Sequence, residues 1–317
     1  MKGITNLNIF ETNILDGPMK LKYDYFPEIT GGVSRHKITD DMTEEMKEEF
    51  VKLREKAGKR YGFDGMKIIV PCEEDSLNVG DYFVADDAVY DMDDDLWNID
   101  IPGDIVVLKN DNPGIAVAYP VADDPVLVVE DRVNGAVALT HCNVDRISAK
   151  MPVFAVKALQ KEVGSSVPDL KVYIGTHLKR ESNIVLRRPR SVVQNKEIWK
   201  KCISRKSGNK NKRKKVKNVR SGLSYFLFKG LDKISYRIDQ EKAIINMLVK
   251  YGVDKDNIVV SESNSFTDAS YFSDRKASMF REDLLKGKFL VGAYYSNTIE
   301  EYDNKCPYTG QVLTRKL

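Results

Sequence analysis

The sequence predicts a mixed α/β (α+β) domain in which layered mixed β-sheets are flanked by helices. Three observations lead there. Short runs rich in Val, Ile and Leu recur along the chain, several of them apolar at every position, as strands covered on both faces require. Segments with helical spacing and matching end signals lie between them. The strands come in clusters instead of alternating one-for-one with helices, which favours stacked layers over a regular βαβ array.

The elements follow in order. Gly31-Gly32-Val33-Ser34 reads as a turn. Met46, Phe50, Leu53 and Ala57 then recur at helical spacing behind Asp40 and Asp41, whose charges suit a helix N-terminus. A second helix starts near Pro152 and stops before Gly164, the proline-in, glycine-out pattern. A third runs from an Asp239 cap through Ile244, Met247, Leu248 and Tyr251 to Gly252. Strands are expected at 67–70, 104–108, 114–119, 126–129, 135–140, 171–175, 258–260 and 288–295. With 317 residues, 42% hydrophobic and 31% charged, the chain can bury a sizeable core, and no domain boundary stands out across 1–317.

No apolar run approaches the length of a membrane-spanning helix, and residues 1–10 lack the apolar core of a secretory leader. Cys72, Cys142, Cys202 and Cys306 are scattered without a C-x-x-C pair, which suits free thiols in a reducing compartment. The expected location is cytoplasmic.

The net charge of +3 conceals strong polarity: residues 179–220 hold 17 Lys or Arg against two acids. Nine of these basic residues fall within 205–220, where no acid occurs, so a mobile basic loop inserted at about 187–230 is expected. Arg205, Lys206, Lys212, Arg213, Lys214 and Lys215 would neutralise phosphates of nucleic acid or meet an acidic partner. Stacking aromatics are sparse before Tyr225 and Phe226, and a solvated loop that only aids solubility is the competing reading. Nine aspartates lie between 81 and 104; Asp91, Asp93 and Asp95 imitate a calcium loop, but Leu96 stands where the turn needs glycine. An exposed acidic loop follows, one that could dock the basic insert of a neighbouring copy.

The chemistry centres on a predicted hairpin. Two apolar strands joined at Asn134-Gly135 bring Asp124 and His141, 17 residues apart, towards one end. A carboxylate beside an imidazole can orient a base or ligate a metal; a merely hydrogen-bonded histidine at a strand end is the alternative. Cys142 adjoins His141, but neighbours on a strand face opposite ways, so the two should not pair as nucleophile and base.

Several of these segments together resemble the laccase-domain family, also called YfiH-like, polyphenol oxidoreductase or zinc-dependent purine nucleoside phosphorylase. Gly103-Asp104-Ile105-Val106-Val107-Leu108, Gly114-Ile115-Ala116-Val117 and Ala122-Asp123-Asp124 are similar to its successive strands, the last standing where the family has A-D-C. Gly31-Gly32-Val33-Ser34 resembles R-x-G-G-V-S, Gly175-Thr176-His177-Leu178 resembles G-P-x-I, and Tyr271-Phe272-Ser273-Asp274-Arg275-Lys276 resembles F-F-S-x-R-R. Tyr236-Arg237-Ile238-Asp239 precedes a helix as a similar tyrosine–aspartate pair does there.

The resemblance implies a zinc site and phosphorolysis of purine nucleosides such as adenosine or inosine, with deamination or other hydrolysis as a side activity. Of the family's zinc ligands only the histidine of H-A-G-W-R-G persists, as His141; Cys72 stands for the first histidine and Asp124 for the cysteine, with Asp123 the alternative if Pro125 is aligned. Thiolate, carboxylate and imidazole are all zinc ligands, and three would leave one position open. The implied catalytic residues are His141, Asp124 and Arg146, while Arg35, Arg275 and His177 are candidates for holding substrate or phosphate. Ile29 replaces the arginine of R-x-G-G-V-S, and the tryptophan and glycines of H-A-G-W-R-G are lost. A scaffold whose chemistry has lapsed, recruited to nucleic acid or an acidic partner through its basic loop, is therefore the alternative function. Three histidines offer little to a multicopper oxidase site.

Overall fold

The computed structural model of the protein describes residues 6–12, 52, 55, 58–69, 71, 79–85, 97–98, 104–206, 235–280 and 287–296. A six-stranded sheet lies at the centre. Its order is β13 (Ile258–Val260), β9 (Lys171–Ile174), β7 (Val126–Asp131), β8 (Ala136–His141), β5 (Ile105–Lys109) and β3 (Tyr82–Ala85). Strand alternation sorts its side chains into two cores. Val106, Leu108, Val126, Val128, Val137 and Leu139 face a second sheet. Ile105, Val107, Leu127, Val129, Ala136 and Ala138 face helices.

The second sheet has the order β1 (Asn6–Glu11), β14 (Phe289–Ser296), β6 (Ile115–Val121), β2 (Lys67–Ile69) and β4 (Trp97–Asn98). Its inner face supplies Ile69, Val117, Tyr119, Val291 and Ala293, and its outer face packs Phe10, Ile68, Ala116 and Tyr294 against Phe63. Glu11 ties the two sheets together: its carboxylate accepts from Thr176 N and Oγ1 at 2.7 Å each and from the Tyr173 hydroxyl at 3.0 Å. Burial, then the charge of Glu11, pushes the Tyr173 phenol well above its ordinary range.

Helices cover the other face. α1 (Val144–Ser148) is followed by α2 (Met151–Val163), which buries Met151, Pro152, Ala155, Val156, Ala158 and Leu159 along one stripe and ends at Gly164. α3 (Arg190–Gln194) and α4 (Lys196–Trp199) come next. α5 (Gln240–Tyr251) starts where the Asp239 carboxylate accepts Lys242 N and stops at left-handed Gly252, as its sequence predicts. α6 (Asp274–Phe280) precedes β14. The expected strands at 67–70, 104–108, 114–119, 126–129, 135–140, 171–175, 258–260 and 288–295 all form within two residues of those bounds.

Residues 190–206, expected within a mobile basic loop, are folded. Residues 190–206 carry α3, α4 and β11 (Ile203–Lys206), because Val192, Trp199 and Cys202 are buried in the helical core and the Trp199 indole donates to Ser148 Oγ at 2.8 Å. β11 joins β12 (Ser235–Ile238) and β10 (Ile184–Val185) in a small antiparallel sheet of order β10-β12-β11. Arg205 thus sits on a strand. Asp91, Asp93 and Asp95, the N-terminal turn at 31–34 and the bulk of the basic run lie outside the described residues.

Candidate functional site

The hairpin forms as its sequence predicts. β7 and β8 pair from Asp131↔Ala136 to Val126↔His141, so His141 closes one end and Asp124 sits just before the other strand at that end. The turn is set by the Asp131 carboxylate, which accepts Val133 N, Asn134 N and the Asn134 amide. Gly135 adopts φ +65°, and a Cβ there would meet the Asn110 side chain at 2.1 Å.

Asp124 Oδ2 and His141 Nε2 stand 3.8 Å apart, the imidazole 14% exposed and the carboxylate 38%. A relay of amides fixes the carboxylate. Gln240 Nε2 donates to Asp124 Oδ1 at 2.7 Å, and Asn183 Nδ2 donates to Gln240 Oε1 at 3.1 Å. Gln240 and Asn183 are both buried, so each needs these partners. With Oδ1 committed to the amide, Oδ2 is the oxygen presented to His141.

Asp123 does different work. Its carboxylate accepts Ser265 Oγ at 2.9 Å and Arg275 N at 2.8 Å, anchoring the first turn of α6 to the end of β6. Burial raises its carboxyl above the ordinary range, and the hydrogen bonds from Ser273, Arg275 and Ser265 only partly offset this. Of the two aspartates the sequence left open, Asp124 is the one beside His141.

These groups open on a cavity of about 350 Å³, within the size of small-molecule sites. Val121, Val144, Leu178, Val185 and Ile238 give it apolar walls, and Asp274, Arg275 and Lys288 also line it. The Arg275 guanidinium donates to Ile184 O at 3.0 Å, using one of its five N–H groups. Lys288 pairs with Asp274 at 3.1 Å.

The other expected site residues fall elsewhere. Arg146 does not line the cavity; it pairs with buried Asp104 at 2.7 Å, bracing α1 against the start of β5. His177 is 1% exposed, its Nδ1 donating to Gly175 O at 2.7 Å and its Nε2 standing 3.5 Å from Glu241 Oε2. Lys179 also meets Glu241, at 2.9 Å. The carboxyl of Glu241 is held down to about 2, chiefly by His177 and then by Lys179. This grip secures the first turn of α5, where Gln240 is the preceding residue. Cys142 is fully buried in the helical core, on the side away from His141, so it faces no solvent as a nucleophile. Cys72, Arg35, Lys212, Arg213, Lys214 and Lys215 lie outside the described residues, and Lys206 is described by its backbone alone. Sequence reasoning missed Gln240 and Asn183. No local signal marks either residue, because both bonds of the relay join segments far apart in the chain.

Residues 87–283 match the family described as multi-copper polyphenol oxidoreductase laccase. The chain belongs to this family. Solved structures agree on the fold. YlmD from Geobacillus stearothermophilus superposes with a TM-score of 0.57 at 15% identity, over 93% of this chain and 92% of that one. The hypothetical protein YfiH of Bacillus licheniformis gives 0.54 at 14%, over 78% and 81%. Neisseria meningitidis protein NMB0706 gives 0.52 at 13%, over 84% and 89%. No curated protein matches the sequence. The chain is thus a divergent YfiH-like member, and among the described residues no helix is long and apolar enough to cross a membrane.

The family description points to a metal, and the donors can be tested for fit. Two ligands about 2.0–2.2 Å from one zinc in tetrahedral geometry stand roughly 3.3–3.6 Å apart. Asp124 Oδ2 and His141 Nε2, at 3.8 Å, need only a small side-chain rotation to meet that spacing. Among the described residues no third His, Cys, Asp or Glu completes a metal cluster with them. The expected third donor, Cys72, lies outside those residues, but β2, the strand preceding it, runs parallel to β6 and towards the end of the sheet that bears the cavity.

Proposed function

We propose that this divergent YfiH-like protein is a purine nucleoside phosphorylase-like enzyme working at a zinc site formed by Cys72, Asp124 and His141. The observation that carries the reading is the Asp124–His141 pair, 3.8 Å apart at the edge of a small-molecule cavity and locked by the Gln240–Asn183 relay. When bound, zinc would supply a Lewis acid that polarises an oxygen at the open position. Gln240 orients Asp124, its amide N–H donating to Oδ1 and leaving Oδ2 towards His141. His141, held at the strand end, is within reach of a substrate in the cavity and can move a proton at Nε2 when no metal occupies it. The apolar walls around Val144, Leu178, Val185 and Ile238 suit a purine base and exclude water from it. Arg275 and Lys288 place positive charge in the cavity lining, where phosphate oxygens would be gripped. Adenosine, with an exocyclic amine at the same wall, is the substrate on which a deaminase side activity would show.

The test is to purify the protein, measure bound metal, and follow inosine and adenosine with and without phosphate. Phosphate-dependent release of base with about one zinc per chain supports the reading. Absence of zinc together with no turnover overturns it.

A further inference from the structure

The small sheet carries one wall of the cavity outwards to the surface. Val185 and Arg205 both pair with Tyr236 across antiparallel strands, and residues so paired share a face. Ile238, two residues along β12, shares it too, and Val185 and Ile238 line the cavity. Tyr236 therefore stands one strand beyond the wall, its Cα roughly 5 Å from that of Val185. The Arg188 guanidinium lies over its ring, 5.3 Å from the centroid, and Arg188 adjoins Pro189, another lining residue. Arg187, Arg188 and Arg205 are exposed.

The cavity end of this path holds Asp123, Asp124 and Asp274 together with Arg275 and Lys288. The outer part carries exposed Arg188 and Arg205 beside Tyr236, with exposed Arg187 adjoining Arg188 in the chain. One bound phosphate group needs one or two cations, so these three suit more than one phosphate. A guanidinium on an aromatic ring is a flat, cationic stack that an unpaired base can cover, whereas bases inside a duplex are already stacked on one another.

We infer that the face formed by Tyr236, Arg188 and Arg205 binds single-stranded nucleic acid, with a base on the Arg188–Tyr236 stack and backbone phosphates on Arg187 and Arg205. This binding depends on neither zinc nor nucleoside turnover. It extends to Tyr236, Arg187 and Arg188 the role that the sequence suggested for Arg205, Lys206 and the basic run beyond them.

Fluorescence anisotropy with a labelled oligothymidylate of about twelve nucleotides, titrated with the full chain at several salt concentrations, tests it. Y236A should weaken binding about ten-fold and Y236F should leave it unchanged. R188Q should weaken it several-fold; Arg188 is exposed, so this variant reports even where Y236A fails to fold, which far-ultraviolet circular dichroism would reveal. R205Q should lower the slope of log affinity against log salt by about 0.7, one phosphate's worth on a single strand. A duplex of the same sequence should bind more weakly, and a single thymidine nucleotide should compete poorly. The inference is overturned if the wild type does not bind, if R188Q and folded Y236A bind as the wild type does, or if the duplex or the mononucleotide binds as tightly.

Discussion

Replacing Gln240 by leucine probes the relay that aims Asp124. The side chains have similar volume, so the change removes polarity and leaves little cavity. Two hydrogen bonds are lost: the 2.7 Å bond to the Asp124 carboxylate and the 3.1 Å bond from Asn183. A bond to a charged acceptor contributes about 1.5–3 kcal/mol, but Asp124 is 38% exposed and water replaces much of that. The Asn183 amide is buried and finds no such replacement, at a cost of about 1–3 kcal/mol. The two losses share one side chain and do not simply add, so Q240L should lose about 2–3 kcal/mol. Urea unfolding should show this as a lower midpoint at unchanged slope. Adding N183L removes the stranded donor and should recover about 1 kcal/mol or more. A loss below about 0.5 kcal/mol for Q240L, or no recovery in the double variant, would refute the relay.

Three further outcomes follow from the same structure. R146A should lose about 3–5 kcal/mol in denaturant unfolding, because it strands buried Asp104; unchanged stability with lost turnover would return Arg146 to catalysis. G135A should lose about 1–2 kcal/mol for its left-handed backbone plus a steric cost against Asn110, and N110A should relieve only the steric part. Glu241, held down to about 2 from an ordinary value near 4.5, contributes stability that is complete above about pH 4.5 and is lost as the pH falls towards 2. The gap between wild type and E241Q should thus be about 1–2 kcal/mol at pH 7, after allowing for a side chain one-third exposed, and should close between pH 4.5 and 2; a gap that widens in acid would contradict the His177–Lys179 grip.

The parts of the molecule legible in its sequence are those where local rules and tertiary demands agree. β7 and β8 are apolar on both faces and joined at Asn-Gly, so their register, and with it the meeting of Asp124 and His141, follows from counting along the chain. α2 and α5 carry their own stop signals at Gly164 and Gly252. β10, β11 and β12 were missed because they are two to four residues long, β11 and β12 carry Arg and Ser, and only pairing with one another makes them strands. For residues 190–206 the high charge obscured three apolar anchors, Val192, Trp199 and Cys202, whose burial outweighs the repulsion of their neighbours. Arg146 looked available to a substrate because nothing nearby in sequence announces Asp104, 42 positions earlier, as its partner. The Gln240–Asn183 relay is likewise a tertiary fact, spanning 57 residues before it reaches Asp124.

X-ray absorption at the zinc edge of the purified protein tests the proposed centre most directly. Ligation by Cys72, Asp124 and His141 predicts one sulfur at about 2.3 Å together with nitrogen and oxygen neighbours at about 2.0–2.2 Å, and loss of the bound zinc in D124A and H141A. A shell without sulfur, or zinc retained at full occupancy in both variants, would contradict it.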